Sequence, residues 1–173
     1  MGGLRHSESW AHSERRARHV RAVFRYGSPQ LLPQDLEAHV AFRLRRQHLI
    51  TESTATPYEA IIHEAALRIL VGGRKTARAQ LEQLLERSEL NHVTLRVLPF
   101  AAEDFAGAGH SMLHLHGTAP QLDTVQNDTG HGSVFFDAEP LLKRYRKRYN
   151  QVAGSALDPA SSRDLMAQVL REL

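Results

Sequence analysis

The sequence contains no cysteine. Disulfides, thiolate nucleophiles and zinc–thiolate sites are therefore excluded, and any metal has to be held by His, Asp or Glu. No apolar run approaches the ~20 residues that a membrane span needs. The opening stretch MGGLRHSESWAHSERRARHV lacks the apolar centre of a secretory signal. A cytoplasmic protein with no membrane partner is expected. There is no internal repeat and no low-complexity tract. A large excess of one charge is also missing: the net charge is +3, although the isoelectric point is about 9.6.

The positive charge is local. ERRARHVRAVFR (Glu14 to Arg25), RLRR (Arg43 to Arg46) and KRYRKR (Lys143 to Arg148) carry it. Basic clusters can neutralise phosphates, but the aromatics among them, Tyr145 and Tyr149, fall at core positions. No DNA-reading motif is visible. Nucleic acid is not an expected partner, and solvated helix faces are the plainer reading.

What is present is an ordinary globular composition, with 42% hydrophobic and 24% charged residues over 173 positions, enough for one domain with a real core. A single domain over 1–173 is expected: a helical part at 1–52, an α/β centre at 53–137 and C-terminal helices at 138–173. In the first part, Ala17, Val20 and Phe24 share a side of one helix, with Trp10 a further candidate. Pro33 suits a helix start, and Leu36, Val40, Phe42, Leu44 and Leu49 mark an apolar face ending near Thr51. Thr76 to Ser88 is the clearest helix, with Ala77, Leu81, Leu84 and Leu85 as its stripe. Strands are expected at 58–63, 93–98, 111–116, 122–127 and 133–136, assembled into one small mixed sheet flanked by helices. Pro140 to Ala153 and Ser161 to Leu173 complete the helices.

The chemistry gathers in GHSMLHLHGTAPQLD. On a strand, alternate residues share a face, so His110, His114 and His116 point the same way. His131, Asp123 or Asp128 would complete a ligand set from neighbouring strands. Imidazoles with a carboxylate suit zinc or iron, although no cofactor is required. The competing reading is a metal-free site in which His114, His116, His131 and Asp128 move protons near neutral pH. His63 beside Glu64 is a weaker pair, because neighbours on a strand point apart, and Glu64 is expected to cap the following helix. The expected pocket lies between the polar strands and the 100–109 loop, with Gln126 and Asn127 in its lining and Phe100 and Phe105 as apolar wall.

HEAALRILVGG, QLEQLLE, NHVTLRVLPF, GAGHSMLHL and LLKRYRKRYNQVAGSALDPASSRDL follow one another in an order that resembles the C-terminal domain of Xre-type, antitoxin-like bacterial regulators. The likeness covers roughly Ala22 to Leu173. It implies a sensor or partner-binding domain that normally follows a helix-turn-helix. The chain is expected to stand alone, without that reader. Strands that are apolar in the resembled family read Ser111, Leu113, His114, His116 and then DTVQND here. His116-x-Thr118-x4-Asp123 is also similar to the His-x-Lys-x4-Asp pattern of the phospholipase D superfamily, which implies a distant fold likeness. Thr118 stands where that pattern needs a cation for the developing charge.

Two functions are carried forward. One is a regulator-derived module whose histidine-rich pocket binds a small organic ligand, a second copy of the chain or a regulator protein. The other is an enzyme on a small organic, natural-product-like substrate, using acid–base or metal chemistry.

Overall fold

The computed structural model describes residues 17, 19–25, 32–51, 56–103, 111–129 and 132–173. The helices are α1 (residues 19–25), α2 (Pro33–Thr51), α3 (Glu64–Arg68), α4 (Arg74–Arg87), α5 (Glu139–Ser155) and α6 (Pro159–Glu172). The strands are β1 (Tyr58–His63), β2 (Val93–Leu98), β3 (Met112–Leu115), β4 (Thr124–Thr129) and β5 (Gly132–Phe136). This is the mixed α/β class expected, but the strands do not join in one sheet. β1 pairs with β2, and β3, β4 and β5 form a separate sheet in that order. β3, β4 and β5 are joined by short links and pair in chain order, whereas β1 and β2 pair across the intervening α3 and α4. The described residues group into two compact units, one running to Val97 and including Leu157–Leu173, the other Leu98–Ala156. No described helix is long and apolar enough to cross a membrane.

In the first unit, Ala17, Val20, Leu36 and Val40 form a buried cluster, with Phe24 and Leu44 packed against it. Leu36, Val40 and Leu44 are four apart, so they lie along one side of α2. Phe42 falls off that row and is 57% exposed, a correction to its expected place on the apolar face. Trp10 and the Leu49 side chain lie outside the described parts.

A second cluster joins Leu67, Leu81, Leu95, Val97, Met166 and Val169. Leu95 and Val97 alternate on β2, while Leu81 extends the stripe read from sequence. The helix expected at Thr76 begins at Arg74, with Gly73 as its N-cap. Gly72 and Gly73 both have positive φ, 76° and 88°, a conformation that costs other residues most. A Cβ on Gly72 would also lie 3.0 Å from that of Ala22.

The cap of α3 is His63 rather than Glu64. Its Nδ1 accepts the Ala65 N–H at 3.1 Å, and Glu64 instead accepts from Arg68 Nε at 2.7 Å. The His63–Glu64 pair thus serves the helix start.

α6 begins two residues before its apolar stripe suggests. Asp158 accepts the Ala160 and Ser161 N–H groups, and Pro159 opens the helix, as caps of this type do. Ser162, fully buried, accepts the Val97 N–H at 2.9 Å through its hydroxyl. Leu157 N–H donates to the Val97 carbonyl at 2.9 Å. Both backbone groups of a buried strand residue are thereby satisfied from the start of α6.

Ser162→Ala leaves the Val97 N–H without its acceptor and should lower stability by about 1–3 kcal/mol in urea unfolding. A loss below half of that lower figure would mean that another acceptor replaces the hydroxyl. His19 offers a second check. Burial, then the nearby Arg43 charge, hold its pKa below the ordinary 6.5. The folded chain therefore binds fewer protons than the unfolded one. The stability tied to neutral His19 is complete above pH 6.5 and is lost as pH falls below it. Thermal unfolding across pH 7.5 to 5 (an ordinary buffer range) should decline less steeply in His19→Gln.

Candidate functional site

The site lies in the second unit, on the three-stranded sheet. β3 and β4 are antiparallel with His114 opposite Val125 and Met112 opposite Asn127. β4 and β5 continue with Val125 opposite Phe136 and Asn127 opposite Val134. Opposed residues share a face, so His114, Val125, Asn127 and Phe136 all belong to one side. α5 covers that side: Asn127 Nδ2 donates to the Tyr145 hydroxyl at 2.8 Å, and the Tyr145 ring packs on Phe136 at 5.5 Å. Val125 and Leu142 are buried within this unit.

β4 starts at Thr124, two residues later than its pattern suggested. Pro120–Leu122 form a 3-10 turn, and Asp123 follows it in extended conformation. This turn brings Asp123 back onto β3. Asp123 Oδ1 accepts the Gly117 N–H at 3.1 Å. Its Oδ2 lies 3.3 Å from His114 Nε2, 3.3 Å from His116 Nδ1 and 3.3 Å from Arg146 Nη2. The carboxylate side chain is 7% exposed, His114 is 14% exposed, and His116 is 72% exposed. The two imidazoles stack with centroids 4.1 Å apart. Arg146 also donates to Glu139 at 2.9 Å, so it bridges two carboxylates.

Charge follows geometry. Burial alone would push the Asp123 carboxyl up. The Gly117 N–H, the Arg146 guanidinium and the two imidazoles outweigh it and hold the carboxyl below its ordinary value. Burial, then the neighbouring His116, hold His114 below the ordinary imidazole value, against the pull of Asp123. His114 is therefore neutral at pH 7. Arg146 is raised, first by its bond to Glu139.

Of the residues expected from sequence, His114, His116 and Asp123 come together, and they are close enough to hold a cation jointly. His110, Phe105 and His131 lie outside the described residues. Asp128 pairs with Ser133 in the sheet register, and its side chain lies outside the described parts. Gln126 and Asn127 do not share a lining: adjacent on β4, they face opposite ways. Gln126 Nε2 donates to Ser133 Oγ at 2.9 Å, away from Tyr145. Phe100 is 59% exposed just beyond β2. Lys143, Arg144 and Lys147 are exposed as a solvated face predicts. Arg146, from the same basic run, is drawn inward instead. Its place four residues after Leu142 puts it on the buried side of α5, and that spacing was the available signal.

Gly117 lets this loop close. A Cβ there would come within 2.9 Å of the Leu122 carbonyl carbon and oxygen. Gly117→Ala should cost about 1–3 kcal/mol by overpacking, and amide exchange at residue 117 should speed up as its bond to Asp123 opens. Unchanged exchange would show that the loop accommodates the methyl group.

Comparison with known proteins adds one relation. No curated protein and no solved structure matches the chain. A family model described as a domain of unknown function, DUF5753, matches residues 15–168. The sheet, the capping turns and the Asp123 cluster all fall within that span, and the chain belongs to the DUF5753 family.

Proposed function

We propose that this domain is a binding module for a small organic ligand, seated at the His114–His116 end of the three-stranded sheet. The observation that carries this reading is the saturation of Asp123. Both of its oxygens are committed, to Gly117 on one side and to His114, His116 and Arg146 on the other. It therefore orients groups rather than acting as a base. With its Nδ1 proton facing Asp123, His116 presents Nε2 outward as an acceptor. A ligand with an O–H or N–H donor fits that nitrogen, and Arg146 supplies positive charge beside it. The resemblance to the C-terminal domain of Xre-type regulators supports a sensing role.

A second reading rests on the same pair. An imidazole held by a carboxylate is also the arrangement of a general base, and His116-x-Thr118-x4-Asp123 has the spacing of the phospholipase D pattern. Thr118 in place of its lysine leaves a transferring phosphoryl group without the usual cation, so binding is the preferred reading.

The test is a thermal-shift screen of the metal-free full chain against hydroxylated and amino-bearing small molecules. Mass spectrometry then follows the fate of each hit. A hit present at a hundredfold excess over its Kd should stabilise the chain by about 2.7 kcal/mol. His116→Ala should weaken it about tenfold, the value of one good hydrogen bond. Recovery of the ligand unchanged supports binding, and conversion supports the enzyme. Shifts that persist undiminished in His116→Ala would place the ligand elsewhere and end this reading.

A further inference from the structure

We infer that His114, His116 and Asp123 form a site for one four-coordinate zinc ion, with water as the fourth ligand. This goes beyond the organic-ligand reading and does not depend on it. The first argument is distance. A charge-assisted N–H···O bond spans about 2.7–2.9 Å. Here three nitrogen donors crowd one carboxylate oxygen, and each stands at 3.3 Å. That is long for a good hydrogen bond. It is the separation expected between two ligands on one tetrahedral ion: bonds of about 2.0–2.1 Å give edges of about 3.3–3.4 Å. An octahedral ion with bonds near 2.1 Å would need edges of about 3.0 Å. The two His–Asp123 edges match the tetrahedral figure, and two imidazoles with one carboxylate are a donor set that zinc accepts.

The second argument is the support behind the ligands. The far oxygen of Asp123 is pinned by the Gly117 N–H, and a ligating carboxylate needs such a hold. Arg146 occupies one cationic position at Oδ2, and its bond to Glu139 at 2.9 Å gives it a place to remain when an ion takes over that oxygen.

One edge has to close. The three ligand atoms lie within 4.8 Å of one another, and the imidazoles are stacked 30° from parallel. A shared ion lies in the plane of both rings, so His116 has to leave the stack. It is the exposed member, and its turning disturbs no core contact. Each imidazole then gives the lone pair of the nitrogen that faces Asp123 to the ion, and the ring proton sits on its other nitrogen.

The test uses the full chain, stripped with a chelator and dialysed against Zn2+ alone, with metal content read by elemental analysis. Co2+ then serves as a spectroscopic probe. The expected results are one zinc per chain and the intense visible bands of four-coordinate Co2+. Affinity should fall about tenfold or more in both His116→Ala and Asp123→Asn. His116→Ala removes an exposed side chain, so its effect is not one of folding. The chain has 11 His, so zinc retained equally by both variants would mean adventitious binding and would overturn the inference. Absence of bound zinc, or the pale spectrum of six-coordinate Co2+, would overturn it too. A metal-free chain that still binds an organic ligand would leave the preceding reading intact while removing this one.

Discussion

A carboxylate taken out of water has to be surrounded by donors, and the second unit is arranged around one that is. Asp123 recruits a backbone N–H, two imidazoles and a guanidinium. They come from three local contexts: His114 from β3, His116 and Gly117 from the loop after it, and Arg146 from the inner side of α5. Leaving any buried charge uncompensated is costly, so the 3-10 turn, the tight approach at Gly117 and the inward Arg146 are best understood as conditions that this one group imposes.

The first unit relies on apolar packing, and its polar groups finish the backbone bonding. Leu95 and Val97 on β2 meet Met166 and Val169 of α6 in one buried cluster. The Ser162 hydroxyl and the Leu157 N–H then serve the Val97 backbone. His63 and Asp158 do the same for the first turns of α3 and α6. These polar residues sit where a helix start or a strand would otherwise leave a backbone group unpaired.

Much of this was legible as periodicity. The Leu36–Val40–Leu44 row, the Leu81 stripe and the alternation on β2 are local patterns, and local patterns survive folding. Boundaries were missed where capping chemistry decides them. Asp158-Pro159 moved the start of α6 forward, and Pro120–Leu122 pushed β4 two residues on. Phe42 shows the limit of counting apolar residues, since only those four apart stayed on the buried row. Parity placed His114 and His116 on one side correctly. The same parity rule argues against Gln126 and Asn127 lining one pocket, because they are neighbours on a strand.

The site divides in the same way. That His114 and His116 share a side follows from local pattern, because side chains along an extended chain alternate with period two and His116 continues the line of β3 just past its end. The sequence by itself also narrowed the carboxylate to a few candidates. It could not choose Asp123 among them, nor pick Arg146 out of a basic run. Asp123 lies nine positions from His114, and Arg146 lies 23 from Asp123. Contacts of that range depend on where a turn closes and which side of a helix is buried. The tertiary structure decided both, because only there does the cost of a buried charge select its partners.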